Sequence, residues 1–254
     1  MRLFDMNTLG IDIGNTRLKA GLFKGNHLLE SLQMTDWTAN EVLKYCNQSN
    51  VRRIMLSSVA EPDEQLLRVL KSNFELLELS HETRMPFENQ YTTPHTLGKD
   101  RLAAVAGAQA LYPRQNCLVV DCGTCIKYDA ITATGHYLGG NIAPGATMRT
   151  KAMHHFTARL PDVEMNIPTD FIGNSTESAL QNGAFRGATL EISGFVNLFQ
   201  QRLEPLIVIL TGGDAQFFAP LLDHKNLKTE PDLTLYGLNY ILLFNAERFL
   251  NQDL

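Results

Sequence analysis

Leu9-Gly10-Ile11-Asp12-Ile13-Gly14-Asn15-Thr16 and Leu118-Val119-Val120-Asp121-Cys122-Gly123-Thr124 carry one short pattern twice, 109 residues apart (121 − 12). Each is an apolar run that reads as a buried strand, ends in a carboxylate and gives way to a glycine turn. Outward from the first copy, Leu18 to Phe23 reads as a second strand, and Gly25-Asn26 as a hairpin turn into a third near His27 to Leu32. Asp36 is placed to cap a helix through about Gln48. Val51 to Val59 reads as a strand, Pro62 to Leu70 as a helix and Phe74 to Leu79 as a strand. An irregular stretch with Pro86 and Pro94 follows, then a helix from Lys99 to Leu111.

The second half starts again. Cys117 to Asp121 reads as a strand, Gly123-Thr124 as a turn, Ile126 to Ile131 as a strand, and Thr134-Gly135 as a turn into Tyr137-Leu138. Helices follow, the clearest from Thr176 to Gln201. Then come a strand at Leu206 to Leu210, a helix after Asp214, a short strand near Leu227 and a closing amphipathic helix from Leu235 to Phe249. Both halves read three strands, helix, strand, helix, strand, helix. Pattern and order together predict a duplicated α/β chain with halves 1–114 and 115–254, facing each other across a cleft to which each presents an Asp-x-Gly turn.

Length and composition fit this. A chain of 254 residues holds one large domain or two of about 100 to 150 residues. Lys and Arg number 22 against 27 for Asp and Glu, a net charge of -5, so no bulk positive field draws a nucleic acid backbone. Apolar runs such as Leu206 to Leu210 fall far short of the roughly 20 residues of a membrane helix. The first residues, with one arginine followed by an acid, lack the uninterrupted apolar core of a secretory signal, and a cytoplasmic location is expected. Four cysteines are too few for a disulfide scaffold.

A hairpin tip of the form Asp-x-Gly-Asn/Thr lets backbone approach a ligand, offers amides and a hydroxyl to phosphate oxygens, and holds a metal ion on its carboxylate. Two such tips are suited to a nucleotide triphosphate with Mg²⁺, and Lys19 adds a point charge. An ordinary hairpin is the competing reading for either tip alone. Gly98-Lys99-Asp100-Arg101 opens an alanine-rich helix. It reads either as a cap with a solvated charge or as a general base beside a carboxylate-binding guanidinium. Gly139-Gly140-Asn141-Ile142-Ala143-Pro144-Gly145 reads as a turn lining the cleft or as a structural loop. Thr211-Gly212-Gly213-Asp214 reads as a rest for an adenosine ring or as a tight strand-to-helix turn. Cys122 and Cys125 form a Cys-x-x-Cys pair, but on a hairpin rather than at a helix start and without a second pair for zinc. His154-His155 lack a third ligand at metal spacing, and Trp37 reads as packing.

Taken together, Asp12 to Lys19, Tyr91-Thr-Thr-Pro94, Gly98 to Arg101, Asp121 to Thr124 ending in Asp129, Gly139 to Gly145, Asn174-Ser-Thr176-Glu177 and Thr211 to Asp214 resemble the type III pantothenate kinases, in the order and spacing of that family. The resemblance implies an actin-like ATPase fold with two ribonuclease H-like halves around a nucleotide cleft. It implies transfer of the ATP γ-phosphoryl group to the primary hydroxyl of pantothenate, the first step of coenzyme A biosynthesis. It assigns ATP phosphates to Asp12, Ile13, Gly14, Asn15, Thr16, Arg17, Leu18 and Lys19, with Thr124, while the tip carboxylate of Asp12 is the candidate for Mg²⁺. Asp100 becomes the base, and Tyr91, Gly98, Lys99, Asp100 and Arg101 surround pantothenate. Asp121 takes a monovalent cation, potassium or ammonium, and the implied homodimer brings Thr176 to the partner's substrate site. Lys127 and Cys125 stand where the family commonly has Thr and Ala. An ammonium fixed near Asp121 would repel a potassium ion, whereas one pointing outward would leave its place open. The rival readings are another sugar- or acetate-kinase-like phosphotransferase, a non-catalytic regulatory relative, and a thiol or zinc protein.

Overall fold

The computed structural model describes residues 7–14, 18–34, 38–58 and 63–249. Asn15, Thr16, Arg17, Asp36, Trp37, Val59 and Pro62, for which the sequence carried expectations, lie outside them. The elements run β1 (Asn7–Ile13), β2 (Leu18–Lys24), β3 (His27–Met34), α1 (Ala39–Gln48), β4 (Val51–Ser58), α2 (Glu64–Asn73), β5 (Glu75–Glu78), β6 (Glu88–Asn89) and α3 (Lys99–Leu111). They continue with β7 (Asn116–Cys122), β8 (Cys125–Ile131), β9 (His136–Pro144), α4 (Ala146–Phe156), α5 (Thr176–Gln181), α6 (Gly187–Arg202), β10 (Leu206–Thr211), α7 (Ala215–Phe218), β11 (Leu227–Thr229) and α8 (Leu233–Phe249).

The chain forms two compact units. Unit 1 comprises 1–114, 133–138 and 232–254, and unit 2 comprises 115–132 and 139–231. In unit 1 the strand order is β3-β2-β1-β4-β5, antiparallel from β1 to β3 and parallel from β1 through β4 to β5. The second sheet runs β6-β9-β8-β7-β10-β11, and its order from β9 to β11 repeats that of the first, with β7–β8 antiparallel, β10 and β11 parallel to β7, and the short β6 added parallel to β9. The repeated Asp-x-Gly pattern therefore sits at one topological position in both sheets: the end of the central strand, where the hairpin begins.

Local chemistry sets the helix ends. The cap of α1 is Thr38, two residues beyond the expected Asp36. Its hydroxyl accepts from the Glu41 amide, and the Glu41 carboxylate accepts from the Thr38 amide, a reciprocal box that fixes the first turn. Asp63 caps α2 by accepting from Gln65 N–H. Apolar α1 and α2 positions (Val42, Cys46, Leu66, Leu70) pack on Leu9, Ile11, Leu22 and Ile54 of the sheet.

The closing helix departs from the expected amphipathic form. Leu233, Leu235, Leu238, Ile241, Leu242 and Ala246 are buried, because α8 is covered on two sides. Leu235 and Leu238 meet Gly10 and Gly21 of the sheet, while Gly237 meets the Ala103 carbonyl of α3 and Gly107 of α3 meets the Leu233 carbonyl. A Cβ at either of these two helical glycines would land on backbone, so the pair lets α3 and α8 touch. Asn239 secures α8 to the hairpin by accepting from Thr8 Oγ1 (2.6 Å) and donating to the Gly25 carbonyl (2.9 Å). Counted with the second half in sequence, α8 thus groups with unit 1.

Two further differences lie in unit 2. The stretch expected as a turn or loop from Gly139 to Gly145 is strand through Pro144, the continuation of β9, with Gly145 capping α4, and a Cβ at Gly140 would fall on the Tyr128 carbonyl of β8. The glycine marks close backbone approach rather than chain reversal. The single helix expected from Thr176 to Gln201 is interrupted by a π-helical turn, Asn182–Arg186. There Asn182 donates to the Asp170 carbonyl (3.0 Å) and accepts from Arg186 Nε (2.9 Å), while Arg186 Nη2 donates to the Pro168 carbonyl of the 157–175 segment.

Candidate active site

In unit 1, Asp12 ends β1, opposite Lys19 of β2 and in register with Ser57 of β4. All three are held by ladder positions rather than by loop geometry. Ile13, Gly14, Leu18 and Lys19 line the same hairpin, partly buried, while Asn15, Thr16 and Arg17 lie outside the described residues. Ser57 is fully buried. Its hydroxyl was not singled out in the sequence, where Ser57-Ser58 looks like the end of an ordinary strand. Asp12 suits Mg²⁺, a hard cation that needs only one or two protein carboxylates beside phosphate and water oxygens.

The second group in unit 1 forms at the start of α3. Gly98 is its cap residue with extended backbone, Asp100 lies in the first turn, and Asp100 Oδ1 accepts from Arg101 N–H at 2.9 Å. A carboxylate is favoured at this positive helix end, whereas a guanidinium is not. Arg101 is nevertheless only 4% exposed. Its Cζ stands 5.4 Å from the Tyr91 ring centroid, within cation–π range, and the Tyr91 ring stacks on Tyr137 at 6.3 Å. A Cβ at Gly98 would meet Asp100 Oδ1, so this glycine keeps the space in which the carboxylate sits. Lys99 and Asp100 are partly exposed. Tyr91, Gly98, Asp100 and Arg101, distant from one another in residue type and partly in sequence, are thus one cluster.

In unit 2, Asp121 ends β7 opposite Lys127 of β8 and in register with Thr211 of β10. Lys127 Nζ lies 2.7 Å from Asp121 Oδ2, with the side chains 17% and 22% exposed. The ammonium points inward, to the carboxylate that the resemblance gives to a monovalent cation. A monovalent cation on the same carboxylate would lie within a few ångströms of this ammonium, and like charges repel strongly where water is scarce. Thr124 is exposed at the hairpin tip, and the tip is held by Gly145 N–H donating to the Thr124 carbonyl (3.1 Å).

Gly212, with φ +89, packs its Cα face on Asp121 Oδ1 and the Cys122 carbonyl, which only glycine permits. Gly213 beside it faces open space, and Asp214 N–H donates to the Cys122 carbonyl at 2.9 Å. Thr176 is exposed at the first position of α5, next to the Ser175 cap.

The thiol pair is unlike a redox site. Cys122 is fully buried, and burial together with the charges of Asp121 and Asp214 pushes its thiol far up. All four cysteines are free. Among the described residues no group of three or more His, Cys, Asp or Glu side chains is arranged to hold a metal ion. His154 binds the Leu160 carbonyl through Nδ1 at 2.6 Å, a packing role.

Comparison with known proteins places this arrangement. The profile described as type III pantothenate kinase matches residues 8–198. A type III pantothenate kinase of Christiangramia forsetii is 41% identical over 93% of this chain and 98% of its own length. That of Phocaeicola vulgatus is 40% identical over 92% and 97%. Among solved structures, a conserved Baf-family protein of Campylobacter jejuni, described as a transcriptional activator, aligns with TM-score 0.60 and 24% identity over 94% of this chain and 99% of its own. The ROK hexokinase of Thermus thermophilus aligns with TM-score 0.50 and 15% identity over 95% and 100%. The repeated sheet topology and these structural likenesses establish the duplicated, actin-like ATPase fold, and the sequence likeness is specific: this chain belongs to the type III pantothenate kinase family.

Proposed function

We propose that this member of the family transfers the γ-phosphoryl group of ATP to the primary hydroxyl of pantothenate, giving 4'-phosphopantothenate for coenzyme A biosynthesis, with Asp100 as the base. The observation that carries the reading is the Asp100–Arg101 pair. A guanidinium buried to 4% exposure in the first turn of a helix, backed by an aromatic ring and next to the Asp100 carboxylate, has the character of a carboxylate receptor. Arg101 then binds the pantothenate carboxylate, Tyr91, Gly98 and Lys99 complete the pocket, and Asp100 orients the hydroxyl and accepts its proton.

Phosphoryl transfer is mostly positioning and charge neutralisation, so no covalent nucleophile is needed. Asp12 through Lys19 bind the ATP phosphates together with Thr124, and Asp12 holds Mg²⁺. When bound, Mg²⁺ supplies neutralising charge on the phosphate oxygens. Lys19 adds a second cationic contact from the facing strand. Gly213, open beside Asp214, leaves room for the adenosine.

We read 1–114 and 115–254 as the two copies of the duplication, with the last helix of the second copy packed into the first unit. A homodimer is supported by one face of the π-turn and α6. Gly183, Gly187, Leu190, Gly194 and Leu198 follow a helical stripe. Leu190 and Leu198 are 67% and 61% exposed, and a Cβ at Gly183 or Gly194 would meet nothing. Exposed leucines alternating with glycines form a surface onto which the same helix of a second copy can pack closely. Thr176, exposed a few residues before this stripe, is then available to the partner's substrate site. No helix among the described residues is long and apolar enough to cross a membrane, which accords with a cytoplasmic enzyme.

The test is an acceptor panel. The protein with ATP and Mg²⁺ is offered pantothenate, hexoses and acetate, and products are identified by mass. A phosphoryl adduct on pantothenate and no other acceptor is expected; phosphorylation of a hexose or acetate in its place would reject the assignment.

A further inference from the structure

Lys127 is part of a repeated frame. At the first hairpin Asp12 faces Lys19 across the antiparallel pair and has Ser57 in register on the parallel strand. At the second, Asp121 faces Lys127 and has Thr211 in register on the parallel strand. The spans from carboxylate to lysine differ by one residue, seven against six (19 − 12, 127 − 121), and the ladder still brings each lysine opposite its aspartate. Lys127 is thus the second-half counterpart of Lys19, which a fixed offset of 109 hides.

The surroundings of Asp121 leave little room for a second cation. Oδ2 is 2.7 Å from Lys127 Nζ, and both side chains are at least three-quarters removed from water. On the other side, the Gly212 backbone stands so close that an added Cβ would strike Oδ1. The buried Cys122 follows directly along the strand. A lysine ammonium has the charge and hydrogen-bonding character of an ammonium ion, and its tether removes the translational freedom that a free ion loses on binding.

We propose that Lys127 is the built-in replacement for a monovalent cation at Asp121, so that this kinase works without potassium or ammonium. The proposal rests on the family's phosphoryl-transfer reaction and concerns what supplies charge at the second hairpin. Lys127 holds one positive charge beside the nucleotide-binding tip of unit 2. An ion added to the solution cannot take the same place without displacing it.

The test compares the full-length wild type with Lys127→Thr in choline, sodium, potassium and ammonium chlorides at equal ionic strength. Two quantities are read: pantothenate-dependent ADP release, and the affinity for a non-hydrolysable ATP analogue with Mg²⁺ by calorimetry. For the wild type, rates and affinities agreeing within about twofold across the four salts are expected. Lys127→Thr is expected to be slower, and to bind the analogue more weakly, by about tenfold or more in choline and sodium, with recovery in potassium or ammonium. A merely structural lysine would give a loss that no ion restores.

A wild type stimulated about tenfold by potassium overturns the proposal. So does a folded Lys127→Thr with no deficit, or with a deficit no cation corrects. If the melting curve shows Lys127→Thr to be unfolded, Lys127→Gln replaces it, and the wild-type comparison stands regardless. A wild type inert towards pantothenate in every salt would count against the reaction assigned above, while the calorimetric arm would still decide the role of Lys127.

Discussion

Arg101, in the first turn of α3, stands over the ring of Tyr91, its Cζ 5.4 Å from the ring centroid, and Tyr91 in turn is tied to β6 by donating its N–H to Asn89 Oδ1 at 3.0 Å. A cation–π contact is worth about 0.5–1 kcal/mol when exposed and about 2 when desolvated. Tyr91→Ala should therefore raise the KM for pantothenate by roughly 3- to 30-fold, with kcat changed much less. Tyr91→Phe keeps the ring and should remain near wild type. Steady-state kinetics checks both; equal losses in the two variants would show that the hydroxyl, not the ring, matters.

Gly98 makes room for the Asp100 carboxylate, because an added Cβ meets Oδ1 and no backbone atom of another element. Gly98→Ala should leave the fold intact, since the end of a side chain can move aside. It should lower kcat by displacing the base, by roughly tenfold to a hundredfold, within the range that general-base catalysis contributes. Thermal melting within a few degrees of wild type alongside reduced kcat is the expected pair of results. Unchanged kcat would separate Asp100's position from turnover.

Gly237 and Gly107 act differently. Here the added Cβ would land on a carbonyl of the facing helix, Ala103 and Leu233 respectively. Gly237→Ala should cost about 1–3 kcal/mol as overpacking, and for a chain of this size each kcal/mol lowers Tm by roughly 2–4 °C. Calorimetric melting reads this directly, and an unaltered Tm would mean that α3 and α8 separate more easily than their contact indicates.

Leu190, 67% exposed on α6, should be a subunit contact. Leu190→Asp places a charge on the stripe and should shift the protein from dimer to monomer in sedimentation, with activity falling in proportion. A dimeric, active Leu190→Asp protein would remove this face from the interface.

The thiols give a test of burial. Burial pushes Cys46 and Cys117 up to about 12, and Cys122 further, whereas Cys125 is partly exposed. At pH 8 a thiol reagent should titrate one cysteine rapidly in the native protein and four after denaturation. Rapid reaction of two or more native thiols would contradict the packing of α1, which holds Cys46, or of β7, which holds Cys117 and Cys122.

Much of this was legible in the sequence, because period and punctuation were. The apolar runs ending in Asp12 and Asp121 are central strands of two sheets with one topology, and the helix expected from Lys99 to Leu111 has those bounds. What was hidden depends on partners far along the chain. Gly140 reads as a turn former, yet it sits in a strand, where the Tyr128 carbonyl of the neighbouring strand leaves no space for a Cβ. The closing helix reads as amphipathic, but α3 covers its second face. The sequence leaves Lys127 open between facing Asp121 and pointing outward; the hairpin register decides it, and a difference of one residue between the two tips conceals that register. Tyr91 and Arg101 are grouped by the family resemblance alone, since no period predicts a neighbour across the irregular stretch between them.

The central claim is that Asp100 is the base for phosphorylation of pantothenate. It is tested most directly by ADP release from ATP and Mg²⁺, with and without pantothenate, for wild type and Asp100→Asn, with nucleotide affinity measured on the same preparations. Expected are pantothenate-dependent release in the wild type and a loss of about 10²–10⁴ in kcat for Asp100→Asn, with the fold and ATP affinity unchanged. Near-normal turnover in a folded Asp100→Asn would contradict it.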